Sequence, residues 1–406
     1  MNKTIYLDNA ATTRICDEAL EEMRIFLGDE FASPLGQYDP GFRANHALET
    51  ARKRVAQLIG ADPMEITFTS SGTESDNLFI RGSVYSRLRE MKNHEAKDEE
   101  IVIVTSATEH AAVLKTCEDL ADFFDKIRLI KVPVLSDGFL DEKAYAAALH
   151  EHPFLVSIMH VNNETGIVND IKKYCEEAHR AGALFHTDAV QSVPHMRLNV
   201  KDIGADGLSA SGHKLHGPKG SGFLYIKRGT PVCPIITGGG QEREMRSGTP
   251  GVGAAAGLGR ACEVLAERGY EDDTAAEAAK LFESKIRELM PFARINRPGG
   301  AAAKEVSGKI KYIREIVSVS IPGGESLSLL PDLDMAGVCC SAGAACSAGK
   351  EGVSHVLKAM GMDDEISKGT LRFSFSRYNT CEEAAEAADL VSGVIIKNLR
   401  NHGKNI

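Results

Sequence analysis

From about residue 50 to about residue 230, two hydrophobic periods alternate along the chain. "HALETARKRVAQLIG" (46–60) carries apolar residues at helical spacing and stops at Gly60, where a glycine closes a helix without a Cβ penalty. "EITFTS" then reads as a strand and "TESDNLFIRGSVYSRL" returns to helix. The exchange continues through "EIVIVTS", "HAAVLKTCEDLADFF", "KIRLIKVPV" and "DEKAYAAALHEH". "FLVSIMHV" is almost continuously apolar, the pattern of a strand covered on both faces. "DIKKYCEEAHRAG", "ALFHTDAV" and "DGLSASG" complete the series. Such alternation predicts an α/β fold built on a mostly parallel sheet.

Past residue 260 the pattern changes. A helix, "TAAEAAKLFESKIRELM", is followed by the strand "EIVSVSIP", a run of small residues with cysteines, the helix "SHVLKAMG", the strand "LRFSFSR" and a helix from about Thr380. The expected division is a large domain over 16–260 and a smaller α+β domain over 261–406, completed by residues 1–15.

Length and composition fit this picture: 406 residues, 43% hydrophobic and 26% charged, allow two domains with ordinary cores. No apolar run is long enough to cross a bilayer, so no membrane partner is expected. The net charge of −10 argues against nucleic acid, whose phosphates call for clustered Lys and Arg. "MNKTIYLDNAATT" holds no apolar signal core, so a cytoplasmic location is expected. The nine cysteines, an odd number, are then expected as thiols rather than disulfides.

Chemistry collects where strands end, since ligands of a doubly wound sheet bind beyond the carboxyl ends of its strands. "TSSGTES" (69–75) joins a strand to a helix; small residues there let backbone N–H groups approach an anion, and Thr73 adds a hydroxyl. On its own such a stretch reads equally as an ordinary helix cap. His110 opens a helix in "ATEHAAVL", and Asp188 ends a buried strand in "HTDAVQ", with Gln191 one turn later. A buried carboxylate needs a partner, which a protonated ring nitrogen supplies. Lys214 stands in the glycine-bracketed turn "SASGHKLHGPKGSGFLY", where desolvation favours a Schiff-base lysine. Anion cradle, acid and lysine in this order point to pyridoxal phosphate. One further stretch, "GVCCSAGAACSAG" (337–349), places Cys339, Cys340 and Cys346 among glycine, alanine and serine, a composition suited to movement.

These segments, with "YLDNAATT", "MHVNNETG", "SGHKLHGPKG" and "GGGQEREMRSGT", give the chain a near full-length resemblance to the NifS/IscS-like cysteine desulfurases. These belong to the class V aminotransferase superfamily of fold-type I pyridoxal phosphate enzymes. The resemblance implies a seven-stranded, mostly parallel sheet and Lys214 as the Schiff-base lysine. Asp188 would meet the pyridinium nitrogen, His110 stack on the ring, and Asn163 and Gln191 contact the ring hydroxyl side. Thr73, Ser211, His213 and the Gly72 backbone would hold the phosphate, and Thr249 would reach the phosphate of the partner subunit in a homodimer. Arg372, with Asn163, would bind the substrate carboxylate.

"SAGAACSAG" aligns the nucleophile with Cys346, leaving Cys339 and Cys340 as small buried hydrophobes. The implied reaction converts L-cysteine to alanine and leaves a persulfide on Cys346, with His110 as the base nearest the thiol. A sulfur-acceptor protein, for iron–sulfur cluster assembly or another thio-cofactor pathway, would follow. No resident metal is expected, Cys346 being at most a transient iron–sulfur ligand. The resemblance breaks at "FASPLGQYDPGFRANH" (31–46), where the family carries an Asn-Pro-Ser-Ser-x-His-like stretch. Selenocysteine lyase or another pyridoxal phosphate lyase acting on a β-substituted amino acid, and an inactive sulfur-carrier or scaffold subunit, are the competing functions.

Overall fold

The computed structural model describes residues 4–93, 99–270, 274–297, 312–343 and 353–404. A short strand β1 (Ile5–Tyr6) precedes the strands of the large sheet: β2 (Ile66–Thr69), β3 (Ile101–Ser106), β4 (Ile127–Val132), β5 (Leu155–Ser157), β6 (Leu184–Asp188), β7 (Gly207–Ser211) and β8 (Gly222–Ile226). Their order is β2-β8-β7-β6-β5-β3-β4. Every pairing is parallel except the two made by β8, which runs antiparallel to β2 and β7. The expected mostly parallel, seven-stranded sheet is therefore present.

Alternate residues of its strands enter different cores. Ile101 and Ile103 pack with Leu78 and Phe79 of the helix Gly72–Asn93, while Val102 and Val104 pack with Tyr174 of the helix Ile171–Arg180. A period of two thus covers both faces of the sheet. At Gly207 a Cβ would lie 2.3 Å from the Phe79 ring, so only glycine lets that ring stack on His186 at 4.9 Å between centroids. The helix Val252–Arg268, which spans residue 260, packs on the helices Asp17–Leu27 and Asp39–Ile59.

A second sheet follows from β9 (Arg294–Ile295), β10 (Ile316–Ser320), β11 (Val338–Cys339), β12 (Ser341–Ala342) and β13 (Thr370–Ser374). Four of these pair antiparallel in the order β12-β13-β10-β9, and β11 pairs in parallel with β1. The helices Thr274–Leu289 and Cys381–Asn401 close its core, in which Ile5 and Leu7 from the chain start are buried with Val317, Phe282 and Phe373. Among the described residues no helix is long and apolar enough to cross a membrane.

Candidate active site

The carboxyl ends of β2, β6 and β7 open on one cavity of about 620 Å³. Gly72 and Thr73 reach it from the start of the helix after β2, and Asp188 with Gln191 from the end of β6. Ser211, His213 and Lys214 come from the turn after β7, His110 from a helix N-terminus, and Asn163 and Arg372 close the far side. Ten of the residues singled out in the sequence therefore line a single space. Thr249 is exposed and does not line it. Cys346 lies outside the described residues.

Lys214 Nζ donates to the Ala10 and Ala11 carbonyls at 2.5 and 2.8 Å, and Gln191 Nε2 also donates to Ala10, at 2.8 Å. Asp188 is held by the Val190 N–H at 2.9 Å. Burial pushes its carboxyl above the usual range, against the pull of His110, Val190 and Lys214. His213 is pushed down to about 4 by burial and by Lys214 and Lys219, and is neutral at pH 7. The Ser211 hydroxyl is buried without a hydrogen-bond partner among the described residues. Together these form a half-built site: a basic, donor-rich rim facing a carboxyl that burial disfavours as an anion.

His110 caps its helix by accepting the Ala112 N–H on Nδ1 at 3.2 Å. A neutral ring in that bond carries its proton on Nε2. Taking a proton from a thiol, the role expected of His110, then requires the capping bond to open. Sequence reading passed over the carboxyls beside it. Glu109, fully buried, is pushed up to about 8 by burial, and Asp76 is raised by burial and by Asp188. Both follow or precede, within the chain, residues with a plainer chemical signature; burial, which no motif prints, is what marks them.

Across the cavity, Arg372 NH1 donates to the Asn163 carbonyl at 2.9 Å and NH2 meets Asp8 Oδ1 at 3.0 Å, while its buried Nε has no partner among the described residues. Glu164 was also missed. Burial pushes it up to about 7, opposed by Ser354, Arg372 and His110. Its Oε2 accepts from Ser354 Oγ at 2.5 Å and would sit 3.2 Å from a Cβ on Gly343. Gly343 and Ser354 flank residues 344–352, the segment that holds Cys346, so both flanks meet at Glu164. Cys340 packs on the small core, but Cys339 is half-exposed, 4.0 Å from Asp334, rather than a buried filler. Its two-residue strand pairs with β1, which sets Cys339 opposite Tyr6. Burial and nearby carboxylates, Asp334 and Asp8 for Cys339 and Asp8 for Cys340, raise both thiols, which disfavours the thiolate a nucleophile needs.

The segment that departs from the family pattern stays away from this chemistry. Phe31, Leu35, Tyr38 and Phe42 are exposed and none lines the cavity.

Comparison with known proteins matches residues 5–386 to the aminotransferase class-V family. A cysteine desulfurase of Sinorhizobium fredii is 39% identical over 406 residues, covering 98% of each chain. A solved NifS-like protein superposes with a TM-score of 0.84 at 33% identity, covering 97% of this chain and 100% of its own. A structure of SspA in complex with cysteine matches at TM-score 0.78 and 31% identity, over 93% of this chain and all of that one (100%). With its sheet order, its cavity and its near full-length match in agreement, this chain belongs to the class-V aminotransferase family, in its cysteine desulfurase branch.

Proposed function

We infer that the protein is a cysteine desulfurase: it moves the sulfur of L-cysteine onto its own Cys346 as a persulfide and releases alanine. The observation that carries the reading is the convergence of Lys214, Asp188 and Arg372 on one cavity. The cavity suits pyridoxal phosphate by the chemistry of its donors. The unpartnered Ser211 hydroxyl, Thr73, neutral His213 and the N-terminus of a 22-residue helix suit a phosphate. Asp188, costly as a buried lone anion, suits a protonated ring nitrogen. Bound there, the cofactor supplies an electron sink for charge that develops at the substrate Cα.

The chain's own groups do the rest. Lys214 anchors the cofactor and, as a free amine, takes the Cα proton. Arg372, already oriented by Asp8 and the Asn163 carbonyl, binds the substrate carboxylate through its fork of donors. His110 and Gln191, both lining the cavity, would hold the ring, His110 by stacking and Gln191 with Asn163 on its hydroxyl side. The Cys346 thiolate attacks the substrate sulfur: one S–S bond forms, the C–S bond breaks, and its electron pair leaves on carbon, which is protonated to alanine. The persulfide then passes to an acceptor protein. The exposed Thr249 is assigned to the cofactor phosphate of a second subunit, making the working unit a homodimer, and the location is cytoplasmic.

Alanine released from L-cysteine, with pyridoxal phosphate and a reductant present, tests the assignment. Equal alanine and sulfide are expected. Lys214→Ala abolishes both and the visible absorbance of lysine-linked cofactor, whereas Cys346→Ala keeps the absorbance and loses alanine release. A protein that takes up cofactor but yields alanine only from selenocysteine would be a selenocysteine lyase, and one that takes up none would be a carrier.

A further inference from the structure

The edge strand β2 leads directly into the cofactor cradle at Gly72 and Thr73, and its outer side is stitched by side chains instead of a neighbouring strand. The Ile66 carbonyl accepts from Arg52 NH1 at 2.8 Å and from Arg243 NH2, and the Phe68 N–H donates to Glu242 Oε2 at 2.9 Å. Arg52, almost wholly buried, also grips both carboxylate oxygens of Glu242, at 2.7 and 2.9 Å. These contacts hold Glu242, Arg243 and Glu244 at φ of 49°, 56° and 67°, a left-handed run that side chains disfavour and that no glycine relieves. Backbone of this kind persists only where its surroundings over-determine it.

The same loop then reaches the cradle itself. Arg246 Nε meets Glu74 Oε1 at 2.7 Å and NH2 meets Oε2 at 3.3 Å. Glu74 follows Thr73 in the chain, and its Oε2 also accepts the Ser70 N–H at 2.9 Å and the Ser70 hydroxyl at 2.5 Å. Beyond Arg246, the Gly248 N–H donates to Gln241 Oε1 at 2.9 Å, closing the loop just before Thr249. One ion pair thus joins the turn that forms a subunit's own phosphate cradle to the loop that bears Thr249.

We propose that Glu74 and Arg246 are positioning residues that make these two phosphate-binding elements one mechanical unit, so that the two sites of the dimer take up pyridoxal phosphate cooperatively. The proposal rests on the assignment of Thr249 to the partner's site. Phosphate that orders one cradle orders Glu74, Arg246 and the loop lent to the other subunit, and the linkage is reciprocal.

The test is a titration of the cofactor-free dimer with pyridoxal phosphate, read by the absorbance of lysine-linked cofactor. Wild type is expected to bind more steeply than a hyperbola, with a Hill coefficient of about 1.5 or more, and Glu74→Gln to fall back to about 1 at unchanged stoichiometry. Arg246→Lys, which keeps the charge but not the two-point contact, is expected to retain only part of the steepness, and Arg246→Gln, expected to fall to about 1, replaces Glu74→Gln should that variant not fold. A hyperbolic wild-type curve, or variants as steep as wild type, overturns the proposal. The assignment beneath it is read separately: Thr249→Ala must weaken binding, and unchanged affinity there would remove both.

Discussion

Burial decides charge throughout this site, and Glu109 shows how. Its Oε1 accepts from Ser106 Oγ at 2.9 Å and the Met159 N–H at 2.7 Å, while Oε2 is buried without a partner among the described residues. Burial lifts the carboxyl to about 8 against those two bonds. The folded chain therefore holds this proton more tightly than the unfolded chain does. Stability from this residue is intact below about pH 4.5 and is lost as pH rises towards about 8. Glu109→Gln, neutral at every pH, should match wild type in urea unfolding of the cofactor-free protein at pH 4. At pH 9 it should be the more stable by over about 1 kcal/mol, because a tenfold difference in proton affinity between folded and unfolded chains is worth about 1.4 kcal/mol. Parallel stability curves for the two proteins from pH 4 to 9 would refute a protonated Glu109.

At the scale of elements, most of the fold was legible because local signals agreed with tertiary need. The helix Asp39–Ile59 ends where Gly60 takes φ 69°, as its position implied. The helix Cys381–Asn401 begins at Thr380, where Thr380 Oγ1 accepts the Glu383 N–H at 3.2 Å and Glu383 answers on the Thr380 N–H at 3.4 Å. Removing that cap in Thr380→Ala should cost about 1 kcal/mol in denaturant unfolding and leave the cysteine-to-alanine rate unchanged; a loss of rate would tie this helix to the site.

Two elements differ from their sequence signal, one in extent and one in being hidden by its neighbours. The apolar run "FLVSIMHV" is a regular strand only over Leu155–Ser157: beyond it the Ile158 and His160 N–H groups still reach the His186 and Asp188 carbonyls of β6, but on the other side the Met159 N–H turns to the Glu109 side chain. The strand Gly222–Ile226 was absorbed into the lysine motif, its short apolar stretch following glycines that read as turn. The site residues found in sequence were those with a chemical signature. Asp76, Glu109 and Glu164 have ordinary identities and unusual surroundings, and surroundings belong to the fold.

Across the whole molecule, the first residues of the chain tie everything together. Ile5 and Tyr6 pair with β11 in the small unit, and Ala10 N–H donates to Ser374 Oγ at 2.8 Å beside Arg372. A few residues on, Ala10 and Ala11 hold the Lys214 amine, and Thr13 binds the His213 carbonyl through N–H and hydroxyl at 2.9 and 2.8 Å. The segment thus carries both the strand of Arg372 and the turn of Lys214. A ligand that engages this turn, the β2 cradle and Asp188 at once stabilises contacts that fail together on unfolding. Binding only the folded chain, it adds about 2.7 kcal/mol at one hundred times its dissociation constant. Pyridoxal phosphate should therefore raise the melting temperature by roughly 3–5 °C in one cooperative transition. Lys214→Ala, which retains only the non-covalent contacts, should show a smaller rise at the same cofactor concentration. Equal melting with and without cofactor would mean that the cavity does not hold it, whereas equal rises in both proteins would free Lys214 from any part in holding it.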